Sequence, residues 1–494
     1  MSSLKTPLLL LISCHLTLLV GCSSIIDARK QKQGDIAHYY AGNMQLAAKA
    51  LSSEAESHHE SGDELMWRLE QGTALFDATD YPQSLAAFQR CENIIQDFDQ
   101  RAVISARTGG AEIGAALTNA NALPYTGMPL DKLMLNAYKA LNYFALNDVA
   151  AAQVELRRMR EAQKQVQRKF REEIEQSQQE IDAHNKQNRE QAKNSAINFE
   201  QISKNNTIKQ VYQSSAKKSN PLYGALSNPF VSYFSAMGYL MAGNYSEALV
   251  DFRNLYKMLP NNKLIQQDYV SCAQQIGAKI PAELQHIPAY AEPLNQKRVY
   301  VLFFNGRAPA LKQEKFQIIL PYVGYTGIAY PRYEYFKSTL QGLNIDYQQQ
   351  GLQDSIQTEQ VADFDAIMSQ EYHQKLPTMI TRLVISTLTK ELASLAATQA
   401  ARNAGGTEAQ LAALIVTGIY KALFNTADTR GWETLPQEIQ IAHIPLPDNG
   451  VLNISPEGIN KSMEIKLKSD TNNAIVLVRA LANNTLIYKL FEMP

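Results

Sequence analysis

A helix–turn–helix unit that recurs along the first half of this chain constrains its fold more than any other feature. The sharpest copy sets Ala236, Tyr239, Gly243, Asn244, Tyr245, Ala248, Phe252, Leu255 and Pro260 at the spacing of a tetratricopeptide (TPR) repeat. Gly72 to Cys91, through Tyr81, Ser84 and Phe88, is a second copy. Ala140, Tyr143, Asn147, Asp148, Ala152, Leu156 and Met159 form a third, and Tyr40 to Leu51, turning at Gly42-Asn43-Met44, reads as a remnant. Two antiparallel helices need a tight turn, which Gly243-Asn244 supplies. Ala236 and Ala248 let the helices approach, while Tyr245 and Phe252 fill the gap to the next helix. Pro260 cannot continue its helix, and Asn228-Pro229 opens one with a capping side chain and a proline at the first helical position. The aromatics of these copies are therefore core positions, not a cofactor box.

The copies are not tandem. From about residue 155 to 215 the sequence is polar, with apolar residues thinly spaced at Val166, Phe170 and Ile174, one helical turn apart. It reads as an extended helical hairpin or coiled coil protruding from the repeats, with a solvated helix or partly disordered segment as the alternative. Breaks are expected at 214–220 and 224–228. The helical pattern ends near Gln285, and 286–297 reads as a linker.

Strands follow over 298–494. Arg298 to Phe304 is β-rich and stops at Asn305-Gly306. Phe316 to Val323 and Gly327 to Tyr335 continue the pattern. Ile439 to Pro445, Val451 to Ile454, Ser462 to Leu467, Ala474 to Leu481 and Thr485 to Phe491 are short strands near the end. Met463, Ile465 and Leu467 alternate with charged residues, so that strand has one wet face. A helical insertion at about 358–425 interrupts them, with helices at 358–372, 378–402 and 407–424 and a hinge at Gly405-Gly406. The fold class is α+β: N-terminal TPR-like helices with a long helical insertion over 22–285, then an antiparallel β domain with its own helical insertion.

The first residues carry an address. Lys5 precedes an apolar run from Pro7 to Val20 broken only by Ser13, His15 and Thr17, too short for a comfortable membrane span. It ends in Leu19-Val20-Gly21-Cys22, similar to the bacterial lipobox, so residues 1–21 read as a signal peptide and Cys22 as the lipidated residue. Ser23 and Ser24 in place of an aspartate favour the outer membrane. With 47 basic and 48 acidic residues, nothing in the charge balance invites nucleic acid. In the body only Cys91 and Cys272 remain; both sit in helical patterns, so buried thiols are the expected reading and a disulfide the alternative.

No phosphate loop, nucleophile elbow or zinc helix is present, and nothing points to a cofactor or a metal. His58-His59-Glu60 reads as a solvated surface pair. Two segments remain: the turn Gly306-Arg307-Ala308-Pro309, and Ala427 to Pro436 with Asp428, Arg430 and Trp432. The second reads as a structural corner locked by Trp432. An enzyme reading would set Arg382, Asp428 and Arg430 around a site, with Asp428 or Glu371 as the acid–base group.

Together the lipobox, the Asn228-Pro229-Phe230 helix opening, the Gly243 to Ala248 repeat, the Gly306–Pro309 turn and the Ala427–Pro436 corner resemble an uncharacterised family of TPR-containing proteobacterial outer-membrane lipoproteins. That resemblance implies no catalytic residues. The expected function is a protein-binding module in cell-envelope assembly, possible partners being the membrane, through Cys22, and another envelope protein. An envelope enzyme and a spacer between envelope layers are the alternatives.

Overall fold

The computed structural model describes residues 28–108, 123–192, 197–224, 226–320, 323–338, 340–403, 426–459, 461–481 and 485–493. The expected signal segment with Cys22, the expected Gly405-Gly406 hinge and the expected helix at 407–424 lie outside the described residues.

Among the described residues four helix pairs turn in the same way. Helix α1 (Ala28–Tyr40) meets α2 (Met44–Ser57), α3 (Glu64–Asp77) meets α4 (Tyr81–Thr108), and α5 (Pro129–Ala145) meets α6 (Val149–Ala192). After the short α7 (Phe199–Ile202) and α8 (Asn206–Lys218), α9 (Pro229–Met241) meets α10 (Tyr245–Met258); α11 (Lys263–Gln275) closes the series. At the turns, Gly42, Thr79, Asn147 and Gly243 have φ of 86°, 66°, 60° and 70°. Each donates its N–H three residues back, and the next residue donates five back, as in Gly243 N to Leu240 O and Asn244 N to Tyr239 O. This double bond satisfies the orphan carbonyls of the first helix and reverses the chain.

Small residues set how closely some of these helices pack, within a pair and between pairs. A Cβ on Gly72 of α3 would lie 2.6 Å from the Phe88 ring of α4, and one on Gly238 of α9 would lie 2.4 Å from Leu156 of α6. Gly72→Ala is therefore expected to destabilise the protein by about 1–3 kcal/mol, because overpacking outweighs the gain in helix propensity. Urea unfolding checks it; a variant as stable as the parent would show that Phe88 has room to move.

The strands form three sheets. The first strands are β1 (Arg298–Asn305), β2 (Ala310–Leu320), β3 (Gly324–Glu334), β4 (Leu343–Gln349), β5 (Leu352–Gln357) and β6 (Glu359–Asp363). Helix α12 (Phe364–Asn403) follows, then β7 (Glu438–Pro445), β8 (Val451–Pro456), β9 (Met463–Lys466), β10 (Asn473–Ala480) and β11 (Leu486–Met493). A five-stranded sheet runs β11-β10-β1-β7-β6, a four-stranded one runs β5-β4-β8-β9, and β2–β3 is a separate hairpin. The expected antiparallel sheet is mixed in fact, since β1 pairs with β10 in parallel.

The inner strands β10, β1 and β7 are buried on both faces, which is why Val299 to Phe304 and Ala474 to Val478 read as unbroken apolar runs. Val299, Val301 and Phe303 pack with Ile345, Leu452 and Ile454 of the four-stranded sheet. Tyr300, Leu302 and Phe304 belong instead to the core shared with the helices. Helices α3, α5 and α9 are buried nearly all round, because a partner helix covers one side and the β region the other. Phe304 illustrates the junction, 6.2 Å from Tyr138 of α5 and 5.7 Å from Phe230 of α9, ring centre to ring centre.

Several expectations need correction. The polar stretch does not protrude alone. Val166, Phe170, Ser177, Ile181 and Asn185 form a buried stripe on α6, and α12 packs against it, with Arg382 bonded to Glu180 and Ser177 and Lys375 bonded to Glu173. Residues 359–363 are strand rather than helix, because they pair with β7. Helix α12 then runs unbroken through Pro377. The proline forfeits one backbone bond, yet Leu376, Ile380, Val384 and Leu388, one turn apart, are all buried and carry the helix through. The break expected at 214–220 starts only after Lys218. In 286–297, Tyr290 is pinned by its hydroxyl to Asp268 at 2.9 Å. Cys91 and Cys272 are both free thiols and buried, and burial pushes Cys272 up to about 12.

Candidate functional site: a strap seated in the helical layer

The two segments singled out in the sequence meet. Residues 427–436 run without helix or strand along the inner face of the helical layer, and the Gly306–Pro309 turn lies against them, with Ala308 N donating to Leu435 O at 2.9 Å. We call 427–436 the strap.

Glu70 of α3 is the central acceptor. It sits one turn from Thr73 and two from Asp77, a polar stripe inside an otherwise apolar helix. Its carboxylate takes the Glu433 N–H at 2.7 Å, the Thr434 N–H at 3.1 Å and the Thr434 hydroxyl at 2.8 Å. Lys32 of α1, fully buried, donates to it at 2.9 Å and lies 3.2 Å from Glu433. Burial would push the Lys32 ammonium down, but the Glu70 and Glu433 charges outweigh it and hold it raised. Burial likewise pushes Glu433 up, and Lys32 and Arg307 overcome it and hold the carboxyl below its usual range. Arg307 reaches Glu433 at 2.7 Å and lies 4.0 Å from the Phe336 ring centre and 4.8 Å from that of Tyr40. The Tyr40 hydroxyl donates to Glu433 O at 2.6 Å.

Trp432 enters the helical layer itself. Its ring lies 5.7 Å from Phe88 and 5.4 Å from Tyr138, and its Nε1 is 2.9 Å from both the Thr73 and Thr434 hydroxyls. Upstream, Arg430 is buried with a two-pronged pair to Asp428, at 2.9 and 2.7 Å, and reaches Asp63 at 2.9 Å. Downstream, Arg479 of β10 donates to the carbonyls of Phe304, Gly306, Ala480 and Thr434, closing the end of the sheet on the strap.

The corner is thus solid and its charges mutually paired. Several of its partners come from the N-terminal helices, which the sequence reading missed; the polar residues inside the apolar faces of α1 and α3 were the available signal. Arg382, Asp428, Arg430 and Glu371 do not converge. Arg382 faces Glu180 and Ser177 on α6, Glu371 faces Lys375 at 3.4 Å, and Asp428 holds Arg430. Burial pushes Glu371 up to about 7, but it is a buried residue of α12 itself, and Lys375 bonds both it and Glu173 of α6. His58 stacks on Trp67 at 5.0 Å and His59 bonds Glu64 at 3.0 Å, so the two rings diverge and are better held than a solvated pair. Among the described residues no group of three or more His, Cys, Asp or Glu could hold a metal, and no helix is long and apolar enough to cross a membrane.

Comparison with known proteins returned no matching family model, curated protein or solved structure.

Proposed function

We propose that the chain is a lipid-anchored, outer-membrane protein facing the periplasm, whose TPR-like helical layer is a scaffold for binding another envelope protein. The observation that carries this reading is the helix pair repeated with one turn geometry, Gly42, Thr79, Asn147 and Gly243 occupying the same left-handed position. Stacks of such pairs expose concave faces that take extended segments. Here the strap lies on the inner face of α3 and α5 as such a segment would, supplied by the chain itself. The binding surface for a partner is then the outward side of the molecule.

The lipobox supports the anchor. Only five residues separate Cys22 from the start of α1 at Ala28, a reach of at most about 20 Å. The helical layer would therefore be held close to the bilayer.

Cys22→Ser is expected to lose palmitate labelling and to move from the membrane pellet to the soluble envelope fraction. Retention of the variant in the pellet with label intact would overturn the anchor. Crosslinking whole envelopes and recovering the chain tests the scaffold reading. A discrete protein partner is expected, and recovery of bulk membrane proteins only would overturn it.

A further inference from the structure

Near the end of the β2–β3 hairpin an apolar pair stands exposed, with none of the described residues burying it. Ile319 and Tyr325 face each other across the strands and are 77% and 73% exposed. On the same strand Lys315 and Gln317 are exposed, while Phe316 and Leu320 turn into the body. The hairpin edge touches the start of α8, where the Asn205 side chain donates to Gln317 O at 2.7 Å. There Lys204 and Lys209 line a shallow cavity with Phe199 and Tyr212, whose rings lie 5.4 Å apart. Neither residues 201–218 nor residues 315–333 contain an aspartate or glutamate.

We propose that the hairpin tip and the lysine-bearing start of α8 together form a contact for an anionic phospholipid surface. Ile319 and Tyr325 enter the interface, where an aliphatic chain and an amphipathic ring are both accommodated. Lys204, Lys209 and Lys315 meet the headgroup phosphates; of the carboxylates flanking the two segments, Glu314 is bonded to Lys312 and Arg332, and Glu200 stands one turn from Lys204. Two side chains on a narrow tip fall well short of the roughly 800 Å² per partner that a stable protein interface buries. A bilayer asks only for depth at the tip. The contact rests on the membrane location proposed above and adds an orientation to it. Arg29, beside the proposed anchor, bonds Glu334 at the base of the hairpin. The hairpin extends about 33 Å from that base, against an anchor reach of about 20 Å. Tip and anchor touch one bilayer only when the hairpin inclines about 50° or more from the membrane normal.

The test uses the chain without residues 1–21 and with Cys22→Ser, so that no acyl chain contributes. Flotation with phosphatidylglycerol–phosphatidylethanolamine vesicles is compared with phosphatidylcholine vesicles at low and high salt. Binding to the anionic vesicles alone, weakened by salt, is expected. Ile319→Ser with Tyr325→Ser should lower that binding at least tenfold, and Lys204→Gln, Lys209→Gln and Lys315→Gln about fivefold each. All are surface changes, and circular dichroism confirms the fold. Equal binding to neutral vesicles, unchanged binding by the serine variant, or tip crosslinks in envelopes that reach only a protein would overturn the proposal. Loss of tip binding with Cys22-dependent pelleting intact would leave the anchor standing and remove this contact alone.

Discussion

Glu70→Leu is expected to destabilise the protein by about 3–5 kcal/mol, because removing one partner of a buried ion pair strands the other. Lys32 would keep Glu433 at 3.2 Å but lose its 2.9 Å contact. The informative variant is the double one. An isolated buried pair replaced by two apolar side chains of similar size often recovers its stability. Here Lys32→Met with Glu70→Leu should not recover, since the Glu433 and Thr434 N–H groups would still lack their acceptor. Each orphaned donor costs about 1–3 kcal/mol. Urea unfolding of the two variants and the parent decides the point. A double variant as stable as the parent would mean that Glu70 does not hold the strap.

Trp432→Ala should cost about 3–5 kcal/mol, the usual range for emptying a buried aromatic site. The loss includes ring contacts with Phe88 and Tyr138, and it leaves the Thr73 hydroxyl without the indole N–H. Stability alone would not distinguish the strap from any other core element, so a second readout is needed. Arg430, two residues away, is 3% exposed in the intact strap. With Trp432 gone the segment should leave the helical layer more often, and trypsin should cut after Arg430 faster. A variant within about 1 kcal/mol of the parent, with unchanged cleavage at Arg430, would show that Trp432 does not seat the strap.

The legible parts of the fold were those written in contiguous residues. The turns at Gly42, Thr79, Asn147 and Gly243 are local, each needing a left-handed residue and two bonds within six positions. The terminal strands were also local, since alternation in Met463 to Leu467 and the unbroken apolar run from Ala474 to Val478 report one or two buried faces. The strand at 359–363 was missed because its pairing partner lies at 438–441, beyond any local signal. Pro377 misled for a related reason: a proline argues for a break, and only the buried apolar stripe around it overrides that preference.

The candidate site divides along the same line. Residues 306–309 and 427–436 stood out as segments with unusual chemistry, and Trp432 as a locking residue was readable from its own neighbours. Their meeting, and the burial of Lys32 and Glu70 between them, was not. Glu70 and the backbone it holds at Glu433 are 363 positions apart. Turn chemistry and hydrophobic period act over a few residues, so the sequence by itself determined the helix pairs and most strands. Which face of the helical layer is filled, and by which segment, depends on burying charges that only find partners once distant elements are packed together. That was decided by the tertiary structure alone.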